Sequence, residues 1–277
     1  MKNRNLSRRE LLRSSAVLGC LAATPLSVAA SELSSPHPAP ASSDANPLKP
    51  PPEGSIPVAF LVSDGAVVID FCGPWEVFQD VMIPGRMEMP FQLYTVSEST
   101  KPIAASGGMK IIPDYTLETA PAPKVLVIPA QSAPSPAVLE WVRMSAKNAD
   151  VTMSVCTGAY LLAKTGLLAG KSATTHHGSY IDFARKYPEI QVKRGARFVE
   201  DGNLSSAGGL SSGIDLALRV VERYYGREVT EQTAHHMEYQ GRSWMNADSK
   251  EVYAKLRSSG VIHFASCVPW QLIQRTH

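Results

Sequence analysis

Apolar residues fall in short unbroken runs, and between the runs they recur every three or four positions. Residues 58–62, VAFLV, are one unbroken run. A strand covered on both faces has no polar side to show and reads this way. Residues 91–96, 125–128 (stopped by Pro129), 151–155, the short 171–175 and 203–207 are predicted strands. The first predicted helix is opened by Gly73-Pro74, because proline suits a first helical turn, and it carries Trp75, Val77 and Phe78. Further helices are expected over 137–146, over 157–164 closed by Gly166, over 180–186 before Pro188, over 212–225 and over 229–239. Strands alternating with helices imply an α/β fold, a mostly parallel sheet with helices on both faces in a flavodoxin-like three-layer sandwich. Such sheets bind ligands at the carboxyl ends of their strands, near a switch in strand order. Chemistry-bearing residues should therefore follow strands directly.

The two ends of the chain break this pattern. Residues 1–30 combine a twin-arginine pattern, SRRELL at 7–12, with a short apolar stretch over 16–23 and the small residues Val28-Ala29-Ala30. The stretch is too short to span a bilayer, and the order of parts is that of an export signal. The expected location is periplasmic or secreted, with the twin-arginine export machinery as a partner. Lipidation at Cys20 is the weaker alternative. Residues 31–55, rich in Pro, Ser and Ala, read as a disordered linker. The domain is expected over 56–240, followed by an extension over 241–277 in which Trp244, Phe264 and Trp270 suggest packing.

Composition narrows the function classes. The chain has 277 residues, 44% hydrophobic and 19% charged, with a formal net charge of +2. That suits one domain of ordinary size with a substantial core. Lys2, Arg4, Arg8, Arg9 and Arg13 against Glu10 concentrate positive charge in the leader, so the remainder is slightly acidic. Neither nucleic acid nor stable membrane insertion is expected. Cys20, Cys72, Cys156 and Cys267 form no CxxC pair, and loss of the leader leaves an odd number. No HExxH and no cysteine cluster points to a metal.

Three elements carry chemistry. Cys156 stands at the junction of a predicted strand and helix, with Ser154 and Gly158 as small flanking residues. A strained turn of this kind presents its side chain outward, and a helix N-terminus favours thiolate over thiol. The Thr157 N–H, and a second from the Ala130-Gln131 loop after Pro129, are expected to hold developing negative charge. Asp70 ends an apolar stretch just before a helix, where it serves as an N-cap, as a proton carrier beside the thiol, or as both. His176-His177 and His235-His236 are adjacent pairs and point to different sides, which disfavours chelation. His236-Met237-Glu238 has the spacing of an amidotransferase triad, but two residues on a helix lie about 200° apart, so it reads as a surface face.

Four stretches then resemble the ThiJ/PfpI superfamily, which has a class I glutamine amidotransferase-like fold. They are VIDFCGPWEVF at 68–78, SVCTGAYLL at 154–162, GLLAGKSATTH at 166–176, and ARFVEDGN at 196–203 followed by SAGGLSSGIDLA at 206–217. The resemblance covers roughly 56–240 and is greatest for the isonitrile hydratase branch. It implies a cysteine-dependent hydro-lyase that adds water to an isonitrile through a Cys156 thioimidate. Asp70 would act as acid and base, and Thr157 would position Asp70 or the water. Ala130, Gln131, His176, Cys72 and Gly73 would lie around the pocket. It implies no cofactor, a small-molecule substrate and a homodimer. Similar stretches occur in the ligand-binding half of AraC-type regulators, whose helix-turn-helix domain needs more chain than follows residue 240. The chain departs from the family at Ala130-Gln131, where two glycines are usual, at His177, where an aromatic is usual, and at Cys72, a second thiol. Other thiol chemistry (glyoxalase-like, amidase or peptidase) and non-catalytic ligand or oxidant sensing remain alternatives.

Overall fold

The computed structural model describes residues 46–246. The chain forms β1 (Ile56–Leu61), α1 (Val68–Gln79) and β2 (Phe91–Ser97). A small antiparallel pair, β3 (Ile103–Ala104) and β4 (Lys110–Ile111), precedes β5 (Tyr115–Thr116). Then come β6 (Val125–Ile128), α2 (Pro136–Asn148), β7 (Val151–Val155) and α3 (Gly158–Lys164). They are followed by β8 (Ser172–Ala173), α4 (Tyr180–Lys186), β9 (Gln191–Val192), β10 (Phe198–Asp201), β11 (Leu204–Ala207) and α5 (Ser212–His236).

The main sheet has seven strands in the order β10-β11-β7-β6-β1-β2-β5. Every neighbouring pair is parallel except the hairpin β10–β11. This is the flavodoxin-like α/β sandwich. From β1 the chain builds outward through β2 and β5, then returns to β6 on the other side of β1. The order therefore reverses between β1 and β6, and the loops after β1, β6 and β7 meet at that edge.

Strand alternation divides the core in two. Val58, Phe60, Val127, Met153 and Val155 face Phe71 and Phe78 of α1 and Leu216 and Val220 of α5. Ala59, Leu61, Leu126 and Ile128 face Val142 of α2, Leu162 of α3 and Phe183 of α4. Successive side chains leave a strand on opposite faces, so a strand buried on both must be apolar at every position. Each large side chain so buried contributes about 1.5–3 kcal/mol.

The structure departs from the sequence reading in four places. First, α1 begins at Val68, ahead of Gly73-Pro74, so Asp70 lies in its first turn and Pro74 lies inside it. Asp70 is thus no N-cap. The Val68 N–H instead donates to Ser106 Oγ at 3.1 Å, a partner distant in sequence. Proline inside a helix leaves the carbonyl four residues back without its donor. Packing compensates, because Pro74 lies against Gly213 at the start of α5, where an added Cβ would come within 3.2 Å of it. Second, the strand predicted over 203–207 pairs with β10, an unpredicted antiparallel partner. Third, the strand predicted over 171–175 shortens to β8 and pairs with β9 outside the main sheet. Fourth, the two last predicted helices are one element, α5, divided at Gly226 (φ 83°, ψ 174°).

Residues before Ile56 also engage the fold, since the Leu48 N–H donates to Arg223 O at 2.7 Å. Trp244 is buried, with the Arg227 guanidinium 4.9 Å from its ring centre. Phe264, Trp270, Cys20, Cys267 and the leader lie outside the described residues. Among the described residues no helix is long and apolar enough to cross a membrane.

Candidate active site

Cys156 joins β7 to α3 with φ 58°, a left-handed conformation that non-glycine residues seldom adopt. Two features hold it there. Its N–H donates to Gly208 O at 2.7 Å, and its carbonyl accepts from Thr175 Oγ1 at 3.0 Å. Gly158 lets α3 approach the end of β6 closely, since a Cβ there would lie 2.2 Å from Ile128 O. The turn does not thrust the thiol outward, as the sequence suggested. Cys156 is only 8% exposed and forms part of the core facing α1 and α5.

The sulfur receives the Thr157 N–H, the Thr157 hydroxyl and the Leu210 N–H. Thr157 therefore serves the sulfur, whereas the sequence suggested that its N–H holds charge developing on substrate and that the residue positions Asp70 or a water. Leu210 escaped sequence reading altogether. It lies in the loop between β11 and α5 with φ 52°, a second left-handed residue facing the first. The only hint was Gly208-Gly209 directly after a predicted strand, and a backbone donor leaves no mark on side-chain identity.

Asp70 is fully buried. Its Oδ2 accepts the Ala130 N–H at 3.1 Å, so that amide holds the acid and is not free for substrate charge. Among the described residues Oδ1 has no N–H or O–H donor, and the carboxyl's other interaction is with the Cys156 thiol. Burial pushes the Asp70 carboxyl up to about 7, against the lowering by the Ala130 amide and the thiol. Burial also pushes the Cys156 thiol up, to about 12, helped by the charge of Asp70 and opposed by the donors at the sulfur. The helix-end ionisation expected from sequence is thus outweighed. The α3 helix has seven residues, and a buried carboxylate alongside repels a second negative charge. Between the two titrations the pair holds a single proton.

The remaining candidates are placed less centrally. The Gln131 side chain donates to Leu61 O at 3.1 Å and lines a cavity of about 20 Å³ with Ser97, Glu98 and Leu161. Gly73 is a contact glycine, where a Cβ would meet Ile214 Cγ1 at 3.0 Å. Cys72, half-buried on α1, is about 200° around the helix from Asp70. Its thiol is raised by burial and then by Glu76. Half-buried His176 accepts the Gly178 N–H on Nδ1 at 3.2 Å and stacks on His177, ring centres 4.2 Å apart. Its imidazole is lowered by burial and then by His177. His235 and His236 line an open groove with Met82, Glu228, Glu231 and Gln232, apart from Cys156 and Asp70. Among the described residues no three His, Cys, Asp or Glu side chains are grouped to hold a metal.

The sequence pattern of the DJ-1/PfpI family matches residues 57–223. The chain belongs to the DJ-1/PfpI family. Within it, the chain is 30% identical over 190 residues to isonitrile hydratase of Pseudomonas putida, covering 67% of this chain and 79% of that protein. It is 29% identical over 180 residues to the HTH-type transcriptional regulator CdhR of Pseudomonas aeruginosa, covering 63% of this chain and 52% of the regulator. The chain therefore spans about half the regulator's length. A ThiJ/PfpI family protein from Pseudomonas syringae superposes with a TM-score of 0.62 at 27% identity, covering 82% of this chain and 93% of that one. This DJ-1/PfpI domain thus sets a thiol and a carboxyl side by side at the switch point of the sheet.

Proposed function

We propose that the protein is a cysteine-dependent hydro-lyase that adds water to an isonitrile, R–N≡C, and releases an N-substituted formamide. The observation that carries this reading is the buried Cys156 thiol beside the buried Asp70 carboxyl, which the Ala130 N–H holds in place. The likeness to isonitrile hydratase adds support.

The steps balance as follows. The proton moves to Asp70 and the Cys156 sulfur attacks the terminal carbon. Asp70 returns that proton to the same carbon, which leaves a thioimidate, R–N=CH–S–Cys156. The Asp70 carboxylate then takes a proton from water as its oxygen adds to the carbon, and that proton passes to nitrogen. Collapse of the adduct forms the C=O bond and breaks the C–S bond. The departing sulfur is received by the Thr157 and Leu210 N–H groups, and the hydroxyl proton returns to Asp70. A carboxyl poised near neutrality suits both directions of transfer.

Mass spectrometry of the protein mixed with a small isonitrile tests this reading. A Cys156 adduct together with formamide in solution is the expected result, and no adduct with no formamide defeats it. A second reading, ligand binding without turnover, is favoured by the likeness to the regulator CdhR. Saturable isonitrile binding with no formamide would support it. We also propose a periplasmic homodimer delivered by the twin-arginine leader, testable by cell fractionation and by light scattering of the mature chain.

A further inference from the structure

The loop from Gly208 to Ser211 contacts Cys156 at both its main chain and its sulfur. Gly208 O accepts the Cys156 N–H, and the Leu210 N–H reaches the sulfur. Leu210 presents that N–H while holding φ 52°. A strained residue persists only where its surroundings leave no alternative. On one side the loop is pinned by the Gly208 N–H donating to Arg197 O at 3.0 Å and by Arg197 Nη2 donating to Ser211 Oγ at 3.0 Å. On the other side it meets the His176 ring. A Cβ on Gly209 would lie 2.6 Å from His176 Cδ2 and 3.3 Å from Nε2. The imidazole is itself held by the Gly178 N–H and by His177.

We infer that His176 is a positioning residue whose flat ring, fitted against the bare face of Gly209, holds the loop so that the Leu210 N–H stays on the Cys156 sulfur. The inference concerns the thiol site proposed above but does not depend on its substrate. It makes His176 and Gly209 a complementary pair, each right only beside the other.

The test is the rate of Cys156 alkylation by iodoacetamide at pH 8 in the full chain, resolved by peptide mass spectrometry. Gly209→Ala is expected to slow alkylation about tenfold or more, since its methyl group displaces the loop and a hydrogen bond to a charged atom is lost. His176→Ala should slow it a few-fold. His176→Ala/Gly209→Ala should recover at least to the rate of His176→Ala, because the methyl then fills the vacated space. A merely structural contact would make the double variant worse than either single one. His176→Phe, which keeps a flat ring, should alkylate faster than His176→Ala, and this comparison decides the matter if Gly209→Ala does not fold. A Gly209→Ala rate equal to the parent, a double variant no faster than Gly209→Ala, or equal rates for His176→Phe and His176→Ala would overturn the inference. Alkylation uses no isonitrile, so failure here is separate from failure of the hydration reading.

Discussion

Two aspartates in this molecule are buried to the same degree and live in opposite surroundings. Asp215, 1% exposed on α5, meets Arg197 Nε at 2.5 Å and the Tyr239 hydroxyl at 3.0 Å. It opens a run of paired charges along that helix. Arg219 bridges Glu200 and Glu222, Arg223 adds a second cation to Glu200, and Arg227 adds one to Glu222. Among the described residues Asp70 has no cation beside it, only the Ala130 amide and a thiol. Burial disfavours a charge in both places, and a guanidinium offsets that penalty in only one. The difference separates a carboxylate that holds structure from a carboxyl that carries a proton.

Breaking each side in turn should show the separation. The largest expected effect is on turnover. Cys156→Ala should release no formamide above the uncatalysed background while keeping its far-UV circular dichroism. Next comes Arg219→Ala, which leaves Glu200 and Glu222 short of a buried cation. Because Arg223 and Arg227 still pair those carboxylates, it should destabilise the fold by about 1.5–3 kcal/mol in urea unfolding and leave kcat of the surviving folded protein unchanged. Asp70→Asn should do the reverse, slowing formamide release about 10²-fold with no loss of stability at pH 8. A loss of activity in Arg219→Ala matching that of Asp70→Asn would erase the distinction.

The most gradual effect is a slope with pH. The folded-state pKa of Asp70, about 7, exceeds its ordinary value of 3.8. Between these the native chain holds a proton that the unfolded chain has lost, so stability falls as pH rises through the window. The contribution of Asp70 is intact below about pH 4 and fully lost above about pH 7. Asp70→Asn carries no such proton. Its stability relative to the parent should therefore climb by up to about 1.4 kcal/mol per pH unit across the window and level off above it. Thermal melts of both proteins between pH 4 and 8 measure this. A constant difference would mean that Asp70 is ionised throughout.

Much of the site was legible because its parts are local. The sharp turn at Cys156 shows in the small residues around it, and Thr157 and Gly158 follow in the same few positions. Asp70 was legible as a residue type close to a helix, while its place inside α1 was not, because the Ser106 hydroxyl that receives the Val68 N–H comes from another part of the chain. Gln131 was read as a backbone donor to substrate. Its side chain reaches Leu61 O, which side-chain identity alone did not foretell, and the neighbouring Ala130 amide is taken by Asp70. Leu210 acts through its main chain, and β10 is a short, mostly half-buried strand, so neither gave a periodic signal.

What the sequence determined by itself is the alternation of buried strands and amphipathic helices, and with it the parallel sheet, since period and continuity of apolar residues are properties of neighbouring positions. It also determined that Cys156 stands between a strand and a helix, because a strand-to-helix turn is a local event. Only the tertiary structure decided the thiol's proton. That depends on how deeply Cys156 is buried, on a carboxyl 86 residues away in the chain that is itself desolvated, and on an amide from the loop after β11. Desolvation and charge act through space, and distance in space is fixed by packing rather than by order along the chain.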